Sequence, residues 1–414
     1  MKSISPESQS AKTIVLWTVL ALILVACVVG IGSANIRYAR ANPGGTDFLV
    51  AWEGMRSVLR GENPYTDATA ERIQIRAYGR PAKPGENQLR VPYPIYALMF
   101  LAPFYLISDF TVARGIWMAV VEFATVGFAL LSIRLSGRPW RRWQLILWII
   151  FSFTWYLGLR AIINGNVVIL VSLFFCLALW FLENKWDWAA GIALACATMK
   201  PQVAIFPIVC FLIWTLFARR FRALAGFFTT LLFFVAMGML ISPSWIFDDW
   251  REVMHYPAYN PPGNPESSLR AIFGLPGSWA GIAISLGALV LLIVLWNRLR
   301  KADARAFLYL YALTLVLAPL SGLQTDAGNE YILLLPIAFL LIPSRNGRSG
   351  SNVRFIILLS ALFLGLWVLF IATIKWSDQP VQHPIMLFPL PVFLLLVAGV
   401  DWIRDRIHPA IATG

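Results

Sequence analysis

Apolar runs separated by short polar turns recur along almost the whole chain. They fall at residues 14–33, 111–135, 143–158, 166–182, 188–199, 202–217, 223–241, 275–296, 306–320, 331–342, 354–374 and 384–402, which predicts about twelve helical crossings of a bilayer. Several are shorter than the roughly 17 apolar residues that a crossing takes. Residues 34–91 break the rhythm with a polar loop of mixed charge, rich in Gly and Pro. Inside it, residues 42–65 read N-P-G-G-T-D-F-L-V-A-W-E-G-M-R-S-V-L-R-G-E-N-P-Y. Pro43, Gly44 and Gly45 make a turn, Thr46 is placed to cap a helix that Asp47 opens, and Gly61, Asn63 and Pro64 stop it. Phe48, Leu49, Val50, Trp52, Met55, Val58 and Leu59 recur at helical spacing among Glu53, Arg56 and Arg60. That pattern predicts a helix lying in the membrane interface, with Glu53 as a surface charge. A second, polar helix is expected at the surface over 69–78, and a second long loop over 243–274.

Composition agrees with the pattern. Of 414 residues, 59% are hydrophobic and 13% charged, with a mean hydropathy of +0.69. Soluble domains carry roughly 45–50% apolar and about 25% charged residues, so the chain is an all-α polytopic membrane protein. The net charge of +13 does not indicate nucleic acid, because the basic residues cluster at the ends of apolar runs. Eighteen Trp and twelve Tyr fit an interfacial aromatic belt, and none is assigned to ligand stacking. Cys27, Cys176, Cys196 and Cys210 all lie inside apolar runs and form no disulfide framework. His255, His383 and His408 are scattered, so no zinc site is visible. Gly30-Ile31-Gly32 lacks a third glycine and no Walker A sequence occurs, so no nucleotide cofactor is indicated.

Basic turns orient the chain. Arg138, Arg141 and Arg142 make one; Arg219, Arg220 and Arg222 a second; Arg298, Arg300, Lys301 and Arg305 a third; Arg345, Arg348 and Arg354 a fourth; and Arg404 and Arg406 mark the C-terminus. They alternate with loops poor in Lys and Arg, which puts them and both termini on the cytoplasmic side. Lys2 and Lys12 precede the first run. Gly32-Ser33-Ala34 resembles a signal-peptidase site, but the length of that run favours a retained anchor. Residues 92–107, interrupted by Pro92, Pro94 and Pro103, then begin and end on one side, as a re-entrant or half-membrane element. Thirteen full spans would instead put the 34–91 loop or the C-terminus on the wrong side. A plasma-membrane location, in a bacterial cell membrane, follows.

The external face then collects Asp47, Arg160 with Asn164-Gly165-Asn166, Lys200-Pro201-Gln202, the 243–270 loop and residues 324–330. Lys200 stands between two apolar runs with no polar loop around it. An uncompensated charge there costs about 2.5–3.5 kcal/mol, so it either snorkels to the interface or binds a phosphate, with Arg160 and Arg270 assisting. Asp47 either caps its helix or deprotonates a hydroxyl. Glu330 either caps a helix or hydrogen-bonds a sugar. Asp248-Asp249, beside Trp245, Phe247 and Trp250, reads as an exposed interfacial turn and not as a metal pair. A fixed cation holding a lipid phosphate and a carboxylate activating an acceptor would divide a transfer reaction between them.

The combination of G-T-D-F-L-V-A-W at 45–52, R-G-E-N-P-Y at 60–65, V-P-Y-P-I-Y-A-L-M-F-L-A-P at 91–103, N-G-N-V-V-I-L at 164–170 and A-A-G-I-A-L-A-C-A-T-M-K-P at 189–201 resembles glycosyltransferase family 87. The resemblance covers about the first half of the chain. It implies a GT-C-type fold and an enzyme, mostly a mannosyltransferase, that uses a polyprenyl-phosphate sugar donor at the external face and a glycolipid or glycan acceptor. It implies Asp47 as general base for an inverting attack and Lys200 as a donor-phosphate ligand; separately, the sequence shows no convincing metal cluster and no cofactor motif. Asn164, Asn166, Gln202 and Glu330 are then candidates for substrate contact. Two departures stand out: Gly165-Asn166 replaces the usual Gly-Gln, and S-G-L-Q-T-D-A-G-N-E-Y at 321–331 replaces a Trp/His-type motif. A lipid-linked sugar flippase is the competing reading, but transporters show internal repeats and midplane sites, whereas the candidates here gather at one face. An oligosaccharide ligase or polymerase would lean on external Arg/His clusters, and the chain has three histidines.

Overall fold

A computed structural model describes residues 6–83, 86–100, 102–342, 348–375 and 381–407. Lys2, Arg345 and His408 lie outside the described residues. The described chain is helical apart from its turns and one isolated antiparallel bridge, Lys375 to Val381. Helix α1 (Pro6–Ala41) carries the first apolar run and continues past it. Asn35 Nδ2 donates to Glu122 Oε2 at 3.0 Å, and Ile36 fills the space a side chain at Gly115 would take. The polar loop expected from residue 34 therefore begins only after Ala41. Helices α2 (Thr46–Leu59) and α3 (Asp67–Tyr78) follow, then two short helices, α4 (Ile95–Phe100) and α5 (Ala102–Tyr105). Neither α4 nor α5 is long enough to cross a bilayer at 1.5 Å per residue.

The remainder is a helical bundle. It runs through α6 (Phe110–Ser136), α7 (Arg142–Thr154), α8 (Tyr156–Asn164), α9 (Val168–Glu183), α10 (Asp187–Cys196), α11 (Pro201–Phe217) and α12 (Phe221–Ile241). Next come α13 (Trp245–Tyr259), α14 (Pro265–Leu299), α15 (Ala304–Leu317), α16 (Leu334–Leu341), α17 (Arg348–Thr373) and α18 (Pro389–Ile407). Among the described residues, five helices are long and apolar enough to cross a membrane, or six if the bent pair α7–α8 counts as one span. These are the helices of a multi-pass membrane protein. The expected twelve counts in addition the first run, on α1, and five runs that form apolar helices of 10–17 residues. Breaks at Lys200, and at 3-10 segments Ala318–Leu320 and Ala327–Leu333, cut them short.

Exposed Leu232, Phe233 and Leu240 on α12, and Leu291 and Ile293 on α14, need no protein partner, since lipid tails solvate them as well as a core does. The core is built instead on α6, α7, α9 and the 3-10 segment Ala327–Leu333, where Trp117, Phe128, Trp148, Phe175 and Tyr331 are fully buried. Small residues allow close helix approach: a Cβ at Gly191 of α10 would sit 2.2 Å from the Ala223 carbonyl of α12.

Candidate active site

Asp47 is held by what surrounds its helix. Phe48 stacks between Trp117 and Phe110, with centroids at 5.6 and 6.0 Å. Trp52 donates its indole N–H to the Ile107 carbonyl at 3.1 Å while Arg56 and Arg76 lie over its ring. The N-terminal turn departs from expectation. Thr46 is the first helical residue and does not cap. Gly45, at φ 79°, takes the N-cap position with no side-chain bond. Arg114 is the reason: its Nε would lie 2.5 Å from a Cβ at Gly45. This buried arginine donates to the Asn42 carbonyl at 2.7 Å and to the Ile163 carbonyl at 3.1 Å. It thereby ties the turn before Asp47 to the turn that carries Asn166. Gly165, at φ 67°, completes the contact, because a side chain there would strike Phe48 and Trp117.

Around the half-buried Asp47 carboxyl the chain assembles groups from five further segments. Lys200, 4% exposed, sits in the break between the 3-10 turn Ala197–Met199 and α11. Its Nζ donates to Asn166 Oδ1 at 2.8 Å, so the snorkelling position is not taken. Asn166 also faces Asp47, and its amide approaches Asn329 Oδ1 at 3.5 Å. Arg160 on α8 forms a two-pronged pair with Asp326, through Nη1 to Oδ1 and through Nη2 to Oδ2 at 3.0 Å. Gly328 donates its N–H to the same Asp326 Oδ1, and only glycine fits beneath the guanidinium there. Tyr256 of α13 shares the electrostatic environment of Asp47, Asp326 and Arg160. Tyr93, ahead of α4, shares that of Asp47.

Burial pushes the Asp47 carboxyl above its usual value of 3.8, while Lys200, Arg160 and the Asn166 amide pull the other way. The result is a carboxylate more basic than an exposed one yet kept near two cations. Burial also disfavours the Asp326 anion, but Arg160 and the Gly328 N–H outweigh it and hold that carboxyl below 3.8. The N-termini of α2, α9, α11 and the 3-10 segment Ala327–Leu333 all open beside these residues. The positive ends of their helix dipoles favour negative charge there, and Asn166 and Asp326 already cap two of them.

Sequence reading found Asp47, Lys200, Arg160 and Asn166, and the structure brings these four together. Glu330 is 2% exposed with Oε1 unpartnered, beside a cavity of 20 Å³ lined also by Gln202, Thr325 and Asn329. That volume is enough for about one water. Asn164 is half-buried at the end of α8, two residues before Asn166. Arg270 is a correction: it is exposed on α14 and reaches only Glu266, at 3.8 Å, one turn back along its own helix. Glu53 is another. It is buried, and Arg60 and Arg72 reach it at 2.8 and 3.3 Å because α3 covers the polar face of α2. Asp248-Asp249 is a third, lying within helix α13 with Asp249 buried. Asp326, Asn329, Arg114 and Tyr256 were missed. Asp326 lay in view in the departing 321–331 stretch. Among the described residues, no group of three or more His, Cys, Asp or Glu side chains could hold a metal ion.

The fold is that of a multi-pass membrane protein, with a buried cation, Lys200, and a half-buried carboxylate, Asp47, gathered around the Asn166 amide. The chain belongs to glycosyltransferase family 87, whose model matches residues 92–321. The protein is thus a membrane glycosyltransferase. The match includes Arg160, Asn166 and Lys200 and runs well into the second half, and it begins after Asp47. No curated protein and no solved structure matches the chain.

Proposed function

We propose that the protein transfers a hexose, mannose, from a polyprenyl-phosphate donor to a lipid or glycan acceptor, with inversion, at the external face of a plasma membrane. On this reading residues 34–91 and 243–274 are external, the termini are cytoplasmic, α4 and α5 form the re-entrant element, and the short apolar helices complete about twelve crossings of a GT-C-type bundle. The observation that carries the reading is the union of Asp47 and Lys200 at one amide, Asn166.

Lys200 donates to a neutral oxygen and not to a carboxylate, so its charge remains available to a phosphate. Arg160, already shared with Asp326, supplies a second, weaker positive field. In the reaction the Asp47 carboxylate takes the proton of the acceptor hydroxyl. The hydroxyl oxygen forms a bond to the anomeric carbon as the bond from that carbon to the phosphate oxygen breaks. The bonding pair leaves on polyprenyl phosphate, whose growing negative charge meets Lys200 and the clustered helix N-termini. A carboxylate made more basic by burial accepts that proton more readily. Gln202, Asn164 and Glu330 are assigned to substrate contact.

Purified protein supplied with synthetic polyprenyl-phosphate mannose and a panel of glycolipid acceptors should release polyprenyl phosphate and yield an inverted linkage. Release that persists at the wild-type rate in Asp47→Asn would remove the base assignment.

A further inference from the structure

Helix α13 carries three stripes of different character. Trp245, Asp249, Glu252 and Tyr259 are buried inward. Phe247, Trp250 and Met254 are 73%, 64% and 62% exposed, an apolar edge one turn wide that suits a bilayer surface. Between them Asp248, Arg251, His255 and Ala258, at helical spacing, form one wall of a 610 Å³ groove whose other wall includes Tyr65 and Arg90. That volume lies within the roughly 300–1,000 Å³ of small-molecule sites.

The groove is built from fixed polar groups. Arg90 donates to Glu252 at 2.6 and 2.9 Å and to Asp67 at 2.6 Å. Asn63 Nδ2 donates to Asp248 Oδ2 at 2.8 Å. The Tyr259 side chain, 7% exposed, lines the same groove with its hydroxyl unpartnered. Such a lining does not suit a phosphate: Arg90 is already divided between two carboxylates, and Asp248 repels an anion. Mixed carboxylate, guanidinium and hydroxyl groups instead match ligand hydroxyls, each of which both donates and accepts.

Two residues of the groove wall adjoin residues that lie near the catalytic candidate. His255 is followed by Tyr256, which shares the field of Asp47 and Asp326. Tyr65 donates its hydroxyl to the Tyr93 carbonyl at 2.9 Å, and Tyr93 in turn feels Asp47. We propose that this groove binds an uncharged, polyhydroxylated sugar moiety of the acceptor, an assignment that rests on the transfer reading above. The sugar comes either from a glycolipid headgroup, with its chains along the Phe247–Trp250–Met254 edge, or from a free glycan.

Saturation-transfer NMR tests this on the full chain in nanodiscs without donor, using mannotriose, its dodecyl glycoside and inositol phosphate as probes. Mannotriose should give saturation signals, and Ala258→Trp, which plugs the groove, and Arg251→Ala, on the exposed wall, should each weaken it at least tenfold. Tighter binding of the dodecyl glycoside that is lost in Trp250→Ser supports the groove with a glycolipid source. Equal binding of both sugars supports it with a free glycan. Absence of a mannotriose signal, wild-type binding by Ala258→Trp, or displacement of mannotriose by inositol phosphate would overturn it. Donor turnover by the same wild-type preparation separates the two ideas. Turnover without sugar binding removes the groove alone, and sugar binding without turnover removes the transfer reaction.

Discussion

The two ends of the bundle handle positive charge in opposite ways. At one end arginines close helix C-termini. Arg305 donates to the Leu135 and Ser136 carbonyls that end α6. Arg220 joins Asp187 and the Leu182 carbonyl near the end of α9, and Arg354 joins Asp401 and the Leu340 carbonyl of α16. Each has a carboxylate or a helix dipole that answers its charge. At the other end, where α9 and the segment leading into α16 begin, Lys200 hydrogen-bonds an amide and feels the Asp47 and Asp326 carboxylates through their field. The structural arginines pair directly with carboxylates or carbonyls, whereas the Lys200 ammonium gives its hydrogen bond to a neutral amide. A buried lysine without a carboxylate hydrogen bond is the feature on which the proposed phosphate contact rests.

The comparison breaks most sharply at Asp47. Asp47→Asn should lower kcat by about a thousandfold, within the roughly 10²–10⁴ range of general-base catalysis, while donor binding changes little. Steady-state release of polyprenyl phosphate measures the first and donor titration the second. The acid limb of the kcat/KM profile should lie above the usual carboxylate value of 3.8, because burial favours the protonated form. A limb at or below that value would mean that Lys200 and Arg160 outweigh burial.

Lys200→Ala should come next, weakening donor binding about 10–100-fold, the equivalent of the 1.5–3 kcal/mol of a charge-assisted hydrogen bond. Arg305→Ala is its counterpart at the end where arginines pair directly. It should lower stability by about 1–3 kcal/mol through two orphaned carbonyls and leave donor KM unchanged. Thermal unfolding in detergent and donor titration on both variants decide the matter. A loss of donor affinity in Arg305→Ala equal to that in Lys200→Ala would erase the distinction between the two ends.

What the sequence made legible follows the same division. Glycine and proline signals bounded α2 closely, and Lys200 was conspicuous because nothing polar surrounds it in the chain. Arg160 and Asp326 are 166 positions apart, and no local pattern pairs them. Arg114 lies inside an apolar run, where a lone arginine reads as a snorkelling charge, yet its side chain is turned inward onto two carbonyls. Glu53 and Asp249 were misread for one reason. On a soluble protein the polar face of an amphipathic helix meets water, whereas α2 and α13 turn polar faces toward other protein segments, and α13 keeps its apolar edge exposed. Periodicity reports that a helix has two faces and is silent on which one is covered.

Asp249 provides the smallest and most delicate test. Burial, helped by the Glu252 charge, raises its carboxyl to about 7, and Oδ1 has no partner. A carboxyl whose pKa is higher in the folded state is bound to its proton more tightly there. Its contribution therefore favours folding below the unfolded value of 3.8 and is lost as the pH rises toward 7. Above about 7 the folded chain holds a buried anion beside Glu252. Asp249→Asn removes that anion and keeps the shape of the side chain. It should raise the unfolding midpoint by roughly 1–3 °C at pH 8, change it little at pH 4, and flatten the dependence between the two. Were the substitution to lower the midpoint equally at both pH values, the Asp249 carboxylate would have to be making a bond that its burial conceals, and α13 would resemble the directly paired end of the bundle after all.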